Sequence, residues 1–113
     1  TLYCSGYAPG TQSVAQFEKD YCETYNVETV PNMFAPLAYD AAMIMAYGLK
    51  AAEEKGLSAG TEEYKQAVIE AIKSMQGVDG ITGTYSFDEY NNPIKSVAII
   101  ELSGGEEVFR EMY

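Results

Sequence analysis

Between residues 31 and 51 the chain reads Pro-Asn-Met-Phe-Ala-Pro-Leu-Ala-Tyr-Asp-Ala-Ala-Met-Ile-Met-Ala-Tyr-Gly-Leu-Lys-Ala, an apolar helix entered through two prolines and broken by one carboxylate, Asp40. A membrane span needs about 20 consecutive apolar residues; the apolar stretch at 35–49 is shorter and holds Asp40. Such a helix has to bury its apolar side inside a protein. The spacing predicts a helix over about 35–55 whose inward face carries Leu37, Ala41, Ile44, Met45, Gly48 and Leu49. Gly56, after Glu53-Glu54-Lys55, is the expected stop.

The flanks read as a mixed α/β chain. Residues 1–6 suit a strand, and Gly6-Tyr7-Ala8-Pro9-Gly10 suits a loop. Ser13 is the expected N-cap of a helix carrying Val14, Phe17, Tyr21, Cys22 and Tyr25. Thr61 caps a third helix at 62–75, with Glu62 and Glu63 in its first turn and Lys73 in its last, as the helix dipole prefers. Beyond Gly77 come a short strand at 84–87, a turn at 88–93, a strand at 95–102, a Ser103-Gly104-Gly105-Glu106 hairpin and a final strand. The first strand is expected to lack neighbours, since the C-terminal strands are expected to pair with each other. A fragment of this kind is expected to complete itself by dimerisation or strand exchange. A chain opening inside a strand, without initiator Met or leader, reads as an excised piece of something longer.

Charge narrows the partners. Seventeen acidic residues against seven basic ones give a net charge of −10, which repels phosphate backbones, and the cations form no stripe. Nucleic-acid binding is not expected. Cys4 and Cys22 match no zinc spacing, and the chain has no histidine. Two buried free thiols are the expectation, because strand and helix backbones about 10 Å apart exceed the reach of a disulfide, with a Cys4–Cys22 bridge as the alternative.

Candidate chemistry is sparse. Without histidine, Ser-His-Asp and Cys-His arrangements are impossible, and neither a catalytic residue, a metal ligand nor a cofactor is expected. Asp88-Glu89-Tyr90-Asn91-Asn92-Pro93 lacks the glycine and the distal Glu of a calcium loop, so an Asx turn is expected instead. Ten tyrosines with no tryptophan stand out, because a phenol offers apolar area plus a hydroxyl. Tyr7 follows the first strand at its carboxyl end, where α/β sheets bind ligands. Phe34, Pro36 and Tyr39 lie at the entry to the long helix. For these four the residues leave packing and a place on a ligand cleft both open, packing being the simpler.

Ala38-Tyr39-Asp40-Ala41 entering an apolar helix, followed by Gly77-Val78-Asp79-Gly80-Ile81-Thr82-Gly83-Thr84-Tyr85-Ser86-Phe87-Asp88, resembles the C-terminal third of bacterial extracytoplasmic solute-binding proteins of the branched-chain amino acid type. Phe17-Glu18-Lys19-Asp20-Tyr21 with Tyr25-Asn26, ahead of Pro31-Asn32, is similar to that family's Phe-x-x-x-Tyr helix. The turn after Phe87-Asp88 departs from it, with Asn92-Pro93 in place of Gly-Asp. The resemblance implies a fragment of a type I periplasmic-binding fold, with two α/β lobes joined by three crossovers. It implies residues 1–93 in one lobe, with 94–113 forming a crossover near Lys95–Val97 and strands of the other. It also implies an amino-acid ligand gripped by hinged lobe closure, an ABC permease as partner, and an extracytoplasmic location. Phe34–Tyr39 would approach the ligand side chain, while the groups holding its amino and carboxylate ends would come from earlier sequence. A sensory ectodomain of the same fold and a non-catalytic oligomeric interaction module are the alternatives.

Overall fold

Local signals set most of the element boundaries in the computed structural model, which describes residues 1–113. The order is β1 Leu2–Ser5, α1 Gln12–Tyr25, α2 Phe34–Glu54, α3 Glu62–Lys73, β2 Val78–Asp79, β3 Thr84–Phe87, β4 Pro93–Ile94, β5 Ala98–Ser103 and β6 Glu106–Met112. No helix is long and apolar enough to cross a membrane. The chain divides into two compact units, one made of Thr1–Tyr39, Ile81–Gly83 and Ser96–Tyr113, the other of Asp40–Gly80 and Thr84–Lys95.

In the first unit β1, β5 and β6 form an antiparallel sheet in that order. The first strand therefore has a neighbour, contrary to expectation: Leu2 pairs with Glu101, and Ser5 with Ala98. This register places Ala98 and Ile100 on one face, where they bury with Ala8. The β5–β6 turn is the expected hairpin, and Gly104 and Gly105 supply its positive φ angles of 61° and 84°. Its strands carry a bulge at Ile99/Ile100. The outer strand β6 is exposed throughout and holds Glu106, Glu107, Arg110 and Glu111, charges that discourage edge-to-edge pairing. Arg110 pairs with Glu101 on β5.

Helix α1 starts two residues earlier than a Ser13 cap predicts. Thr11 occupies the N-cap with extended backbone but makes no side-chain capping bond. Its hydroxyl donates instead to the Ala8 carbonyl at 2.8 Å. Asn26 ends the helix in the left-handed region at φ 52°, its N–H donating to Cys22. The two thiols are free, but Cys4 is exposed and Cys22 only half-buried, which corrects the expectation of burial. Cys4 lies on an edge strand of which only Ser5 is buried.

In the second unit α2 keeps Ile44 and Gly48 of the predicted row inward but turns Ala41, Met45 and Leu49 outward. Asp40, Gly48 and Ala52 are buried with Ile44 half-buried between them, while Met45 and Leu49 are 50% and 40% exposed. The cause is close helix packing: a Cβ on Gly48 would sit 2.9 Å from Val68 Cγ1 and 3.0 Å from Ile72 Cγ1. Small residues, not the large apolar ones, mark that contact. Ala52 packs with Tyr64, Ala67 and Val68, and with Leu57 and Ile72 at the margin.

Helix α3 matches its sequence signals. Thr61 Oγ1 accepts the Tyr64 N–H at 3.2 Å, and Gly56 takes φ 70° at the end of α2. Thr61→Ala is expected to lower stability by about 1 kcal/mol, seen as a lower urea midpoint with an unchanged slope.

Two two-residue strands, β2 and β4, flank β3 within segments read from sequence as turns. The Asx turn after β3 is present. Asp88 Oδ1 accepts the N–H groups of Tyr90 and Asn92 at 2.9 and 2.8 Å, and Asn91 has φ 65°. These bonds, led by those from Asn92, hold the Asp88 carboxyl below its ordinary range.

Candidate ligand-binding site

The first unit holds a pocket of about 620 Å³ where the end of β1, the loop before α2 and strands β5 and β6 meet. Its polar wall begins at Ser5, which is buried at the strand end. Ser5 Oγ donates to the Tyr7 carbonyl at 2.8 Å and accepts the Tyr7 N–H at 3.2 Å, folding the loop back on itself. The Tyr7 hydroxyl then donates to Glu18 of α1. The same carboxylate oxygen accepts the Gly10 N–H at 3.1 Å. One side chain on a helix thus pins the whole Gly6–Gly10 loop.

Burial, reinforced by Glu18, pushes the Tyr7 phenol well above its ordinary value. Tyr7 is therefore a fixed neutral donor at neutral pH rather than a base. Its raised value means the interaction stabilises the fold fully below about pH 10, the unfolded value, and is lost as pH rises through the folded one. Glu18→Gln is expected to bring the Tyr7 ionisation down toward that of exposed tyrosines. An alkaline titration followed by tyrosinate absorbance checks this.

Phe34 supplies the aromatic wall. Asn32 Oδ1 accepts its N–H at 2.9 Å, anchoring the first residue of α2, and the residue is 66% exposed. Met33 lies beside it, with its sulfur 3.8 Å from Ser5 Oγ. Glu28, Glu107 and Tyr3 complete the rim, and a hydrogen bond to Glu107 raises the Tyr3 phenol.

Of the four residues singled out from sequence, Tyr7 and Phe34 line this pocket together. Pro36 is fully buried, and Tyr39 packs against Phe17 at 5.4 Å in a separate groove. Sequence reasoning missed Ser5, Glu18 and Met33. The Ser-x-Tyr spacing is a weak turn signal for the first, whereas the Glu18 contact is tertiary and leaves no local trace.

The second unit has a smaller cavity of about 260 Å³, walled largely by Met43, Ile44, Tyr47 and Val78, with Asp40 and Tyr85 at one end. Asp40 is 1% exposed and accepts the Tyr85 hydroxyl at 3.1 Å. Lys95 Nζ lies 3.4 Å from that hydroxyl and 5.0 Å above the ring. Burial lowers the Lys95 ammonium while Asp40 pulls it back up. Gly80 presses so closely on the Asp40 carboxyl that a Cβ there would be 2.7 Å from its atoms. These contacts contribute to the pairing that a buried charge in a protein interior requires. The larger pocket offers what noncovalent capture of a small solute needs: an apolar wall and a few fixed polar groups on loops.

The family profile described as "Periplasmic binding protein" matches residues 2–106. The chain belongs to the periplasmic binding protein family. Solved structures agree on the fold. A leucine binding protein from Thermotoga maritima shares 24% identity at a TM-score of 0.74, covering 98% of this chain and 30% of that one. A branched-chain amino acid transporter binding protein from Streptococcus pneumoniae, solved with isoleucine, gives 24% and 0.68 over 96% of this chain and 30% of its own. A solute-binding protein from Rhodopseudomonas palustris, solved with benzoate, gives 22% and 0.66 over 99% of this chain and 29% of its own. The chain thus spans about a third of these proteins and is a fragment of the type I periplasmic-binding fold. No curated protein matches the sequence. The family is, by its description, one of periplasmic binding proteins.

Proposed function

We propose that this chain is the C-terminal part of the substrate-binding component of an ABC importer, and that the complete protein binds an amino acid by hinged closure of two lobes. The pocket shared by Tyr7 and Phe34 carries this reading. Its wall combines an exposed aromatic ring with a pinned hydroxyl and leaves room for a solute of amino-acid size. Neighbours solved with isoleucine and with benzoate support a small solute as ligand. The Lys95–Val97 segment, where the chain passes from the second unit to the first, is our proposed crossover. The unit of Asp40–Gly80 and Thr84–Lys95 is then our proposed part of one lobe, and the unit of Thr1–Tyr39, Ile81–Gly83 and Ser96–Tyr113 our proposed part of the other. The permease of the importer is the proposed partner, and the extracytoplasmic space the proposed setting.

The test is a thermal-shift panel of amino acids and aromatic acids on the full-length protein. An aliphatic amino acid at a hundred times its Kd should add about 2.7 kcal/mol to stability. A panel without any shift overturns the proposal. Neighbours described as extracellular ligand-binding receptors favour a sensing role as the second reading. Uptake of the bound solute by cells carrying the gene, lost on deletion, separates transport from sensing.

A further inference from the structure

The hydrogen bonds around the candidate pocket fix the polarity of its wall. Tyr7 gives its phenolic hydrogen to Glu18, and Ser5 gives its own to the Tyr7 carbonyl at 2.8 Å. Tyr3 is bonded to Glu107, a carboxylate that can only accept. Toward a solute these three hydroxyls therefore present oxygen lone pairs, not hydrogens. Thr29 and Asn32 carry neutral donors on the same wall, but its charge is of one sign: Glu18, Glu28 and Glu107 line the pocket, and no Lys or Arg does. None of these carboxylates is in an ion pair, since the ion pairs of the chain join Lys50 to Glu54, Lys65 to Glu62 and Arg110 to Glu101. Tyr3, Tyr7 and Phe34 add aromatic rings to the wall, and ring faces attract cations.

We infer that the part of the solute meeting this wall is a positively charged nitrogen, an ammonium or a guanidinium, and that a carboxylate is turned away from it. A lone-pair oxygen bonds only to a donor, and carboxylates lining a cleft concentrate cations by about tenfold or more. A solute carboxylate would meet like charges, with only Thr29 and Asn32 to set against them. The inference rests on the solute-binding reading, and it gives this chain a task that the family resemblance leaves to earlier sequence. The nitrogen belongs either to the α-ammonium of an amino acid or to a cationic side chain.

The experiment measures, on the full-length protein, the affinity for leucine, lysine, 3-methylbutylamine and 4-methylpentanoate. The last two are leucine without its carboxylate and leucine without its nitrogen. Glu28→Gln/Glu107→Gln removes charge at exposed positions of the wall, and Glu89→Gln, on the Asp88 turn outside the pocket, is the control. Wild type should bind the amine about tenfold or more tighter than the acid, and the double variant should lose about tenfold for nitrogen-bearing solutes at unchanged Tm. Glu89→Gln should stay within about twofold of wild type. Equal losses for leucine and lysine assign the α-ammonium to the wall; a loss for lysine with leucine unchanged assigns the side chain. An acid bound as tightly as the amine, or affinities unchanged in the double variant, overturns the inference. A loss as large in Glu89→Gln overturns it in favour of overall charge.

Cys22 lines the same pocket and gives a readout that needs no bound solute. In a Cys4→Ser background it is modified with a trimethylammonium or a sulfonate ethyl methanethiosulfonate, and the rates are read by peptide mass spectrometry. The cation-to-anion rate ratio at Cys22 should exceed that of a free small thiol by about tenfold, and Glu28→Gln/Glu107→Gln should erase the excess. A ratio equal to that of the free thiol overturns the inference. If wild type binds no solute, the proposed function fails, while the Cys22 ratio still decides this point.

Discussion

Asp40→Ala is expected to destabilise the protein by about 2–4 kcal/mol, among the largest effects of any single substitution here. Asp40 is 1% exposed and accepts a hydrogen bond from Tyr85, beside Lys95. Alanine removes the negative partner and leaves a buried phenol and a partly buried ammonium facing a void. Gly80, now pressed against the carboxyl, would border that void. Asp40→Asn keeps the shape and an acceptor oxygen for Tyr85 but loses the charge, so it should cost less, about 1–2 kcal/mol. Urea unfolding of the three proteins at pH 7 measures both losses. A loss below about 0.5 kcal/mol for Asp40→Ala would mean that the polar cluster contributes nothing to stability.

Gly48→Leu is the second large effect, at about 3 kcal/mol of destabilisation. The first carbon of the new side chain would already lie 2.9 Å from Val68 and 3.0 Å from Ile72. Further carbons must push α3 away from α2 and open the Ala52–Tyr64–Ala67–Val68 cluster. Gly48→Ala is a milder probe, in which a helix-propensity gain of about 1 kcal/mol opposes the crowding. Alanine should therefore fall well short of leucine. Equal losses for the two would place the strain in the backbone and not in the helix contact.

Asp40 and the α2 face around Gly48 also mark where the sequence was only partly legible. Helix α3 could be read because its determinants are local: Thr61 before it, Glu62 and Glu63 at its start, Lys73 at its end. The Asx turn at Asp88 was legible for the same reason. The inward row of α2 was legible only in part: Ile44 and Gly48 lie inward as read, but hydropathy also favours Met45 and Leu49, which are exposed, while close packing selects Ala52. Asp40 reads as an interruption until Tyr85 and Lys95, 45 and 55 residues further along, supply its partners. The β1–β5 pairing was hidden too, since Leu2–Ser5 carries no signal of strand direction. Within the candidate site, Tyr7 stood out as an aromatic residue in a loop and Phe34 as one at a helix entry. Glu18 did not, because a carboxylate on an amphipathic helix reads as solvated surface.

Calorimetric titration of leucine and isoleucine into the full-length protein, wild type and Phe34→Ala, tests most directly whether this chain forms a wall of a solute pocket. The expected result is saturable one-to-one binding by wild type, weakened about tenfold or more in Phe34→Ala at unchanged Tm, a difference of about 1.4 kcal/mol or more. Equal affinity in the two proteins would contradict the placement of the ligand against Phe34. Absence of binding by wild type, across these and the wider solute panel, would contradict the receptor function itself.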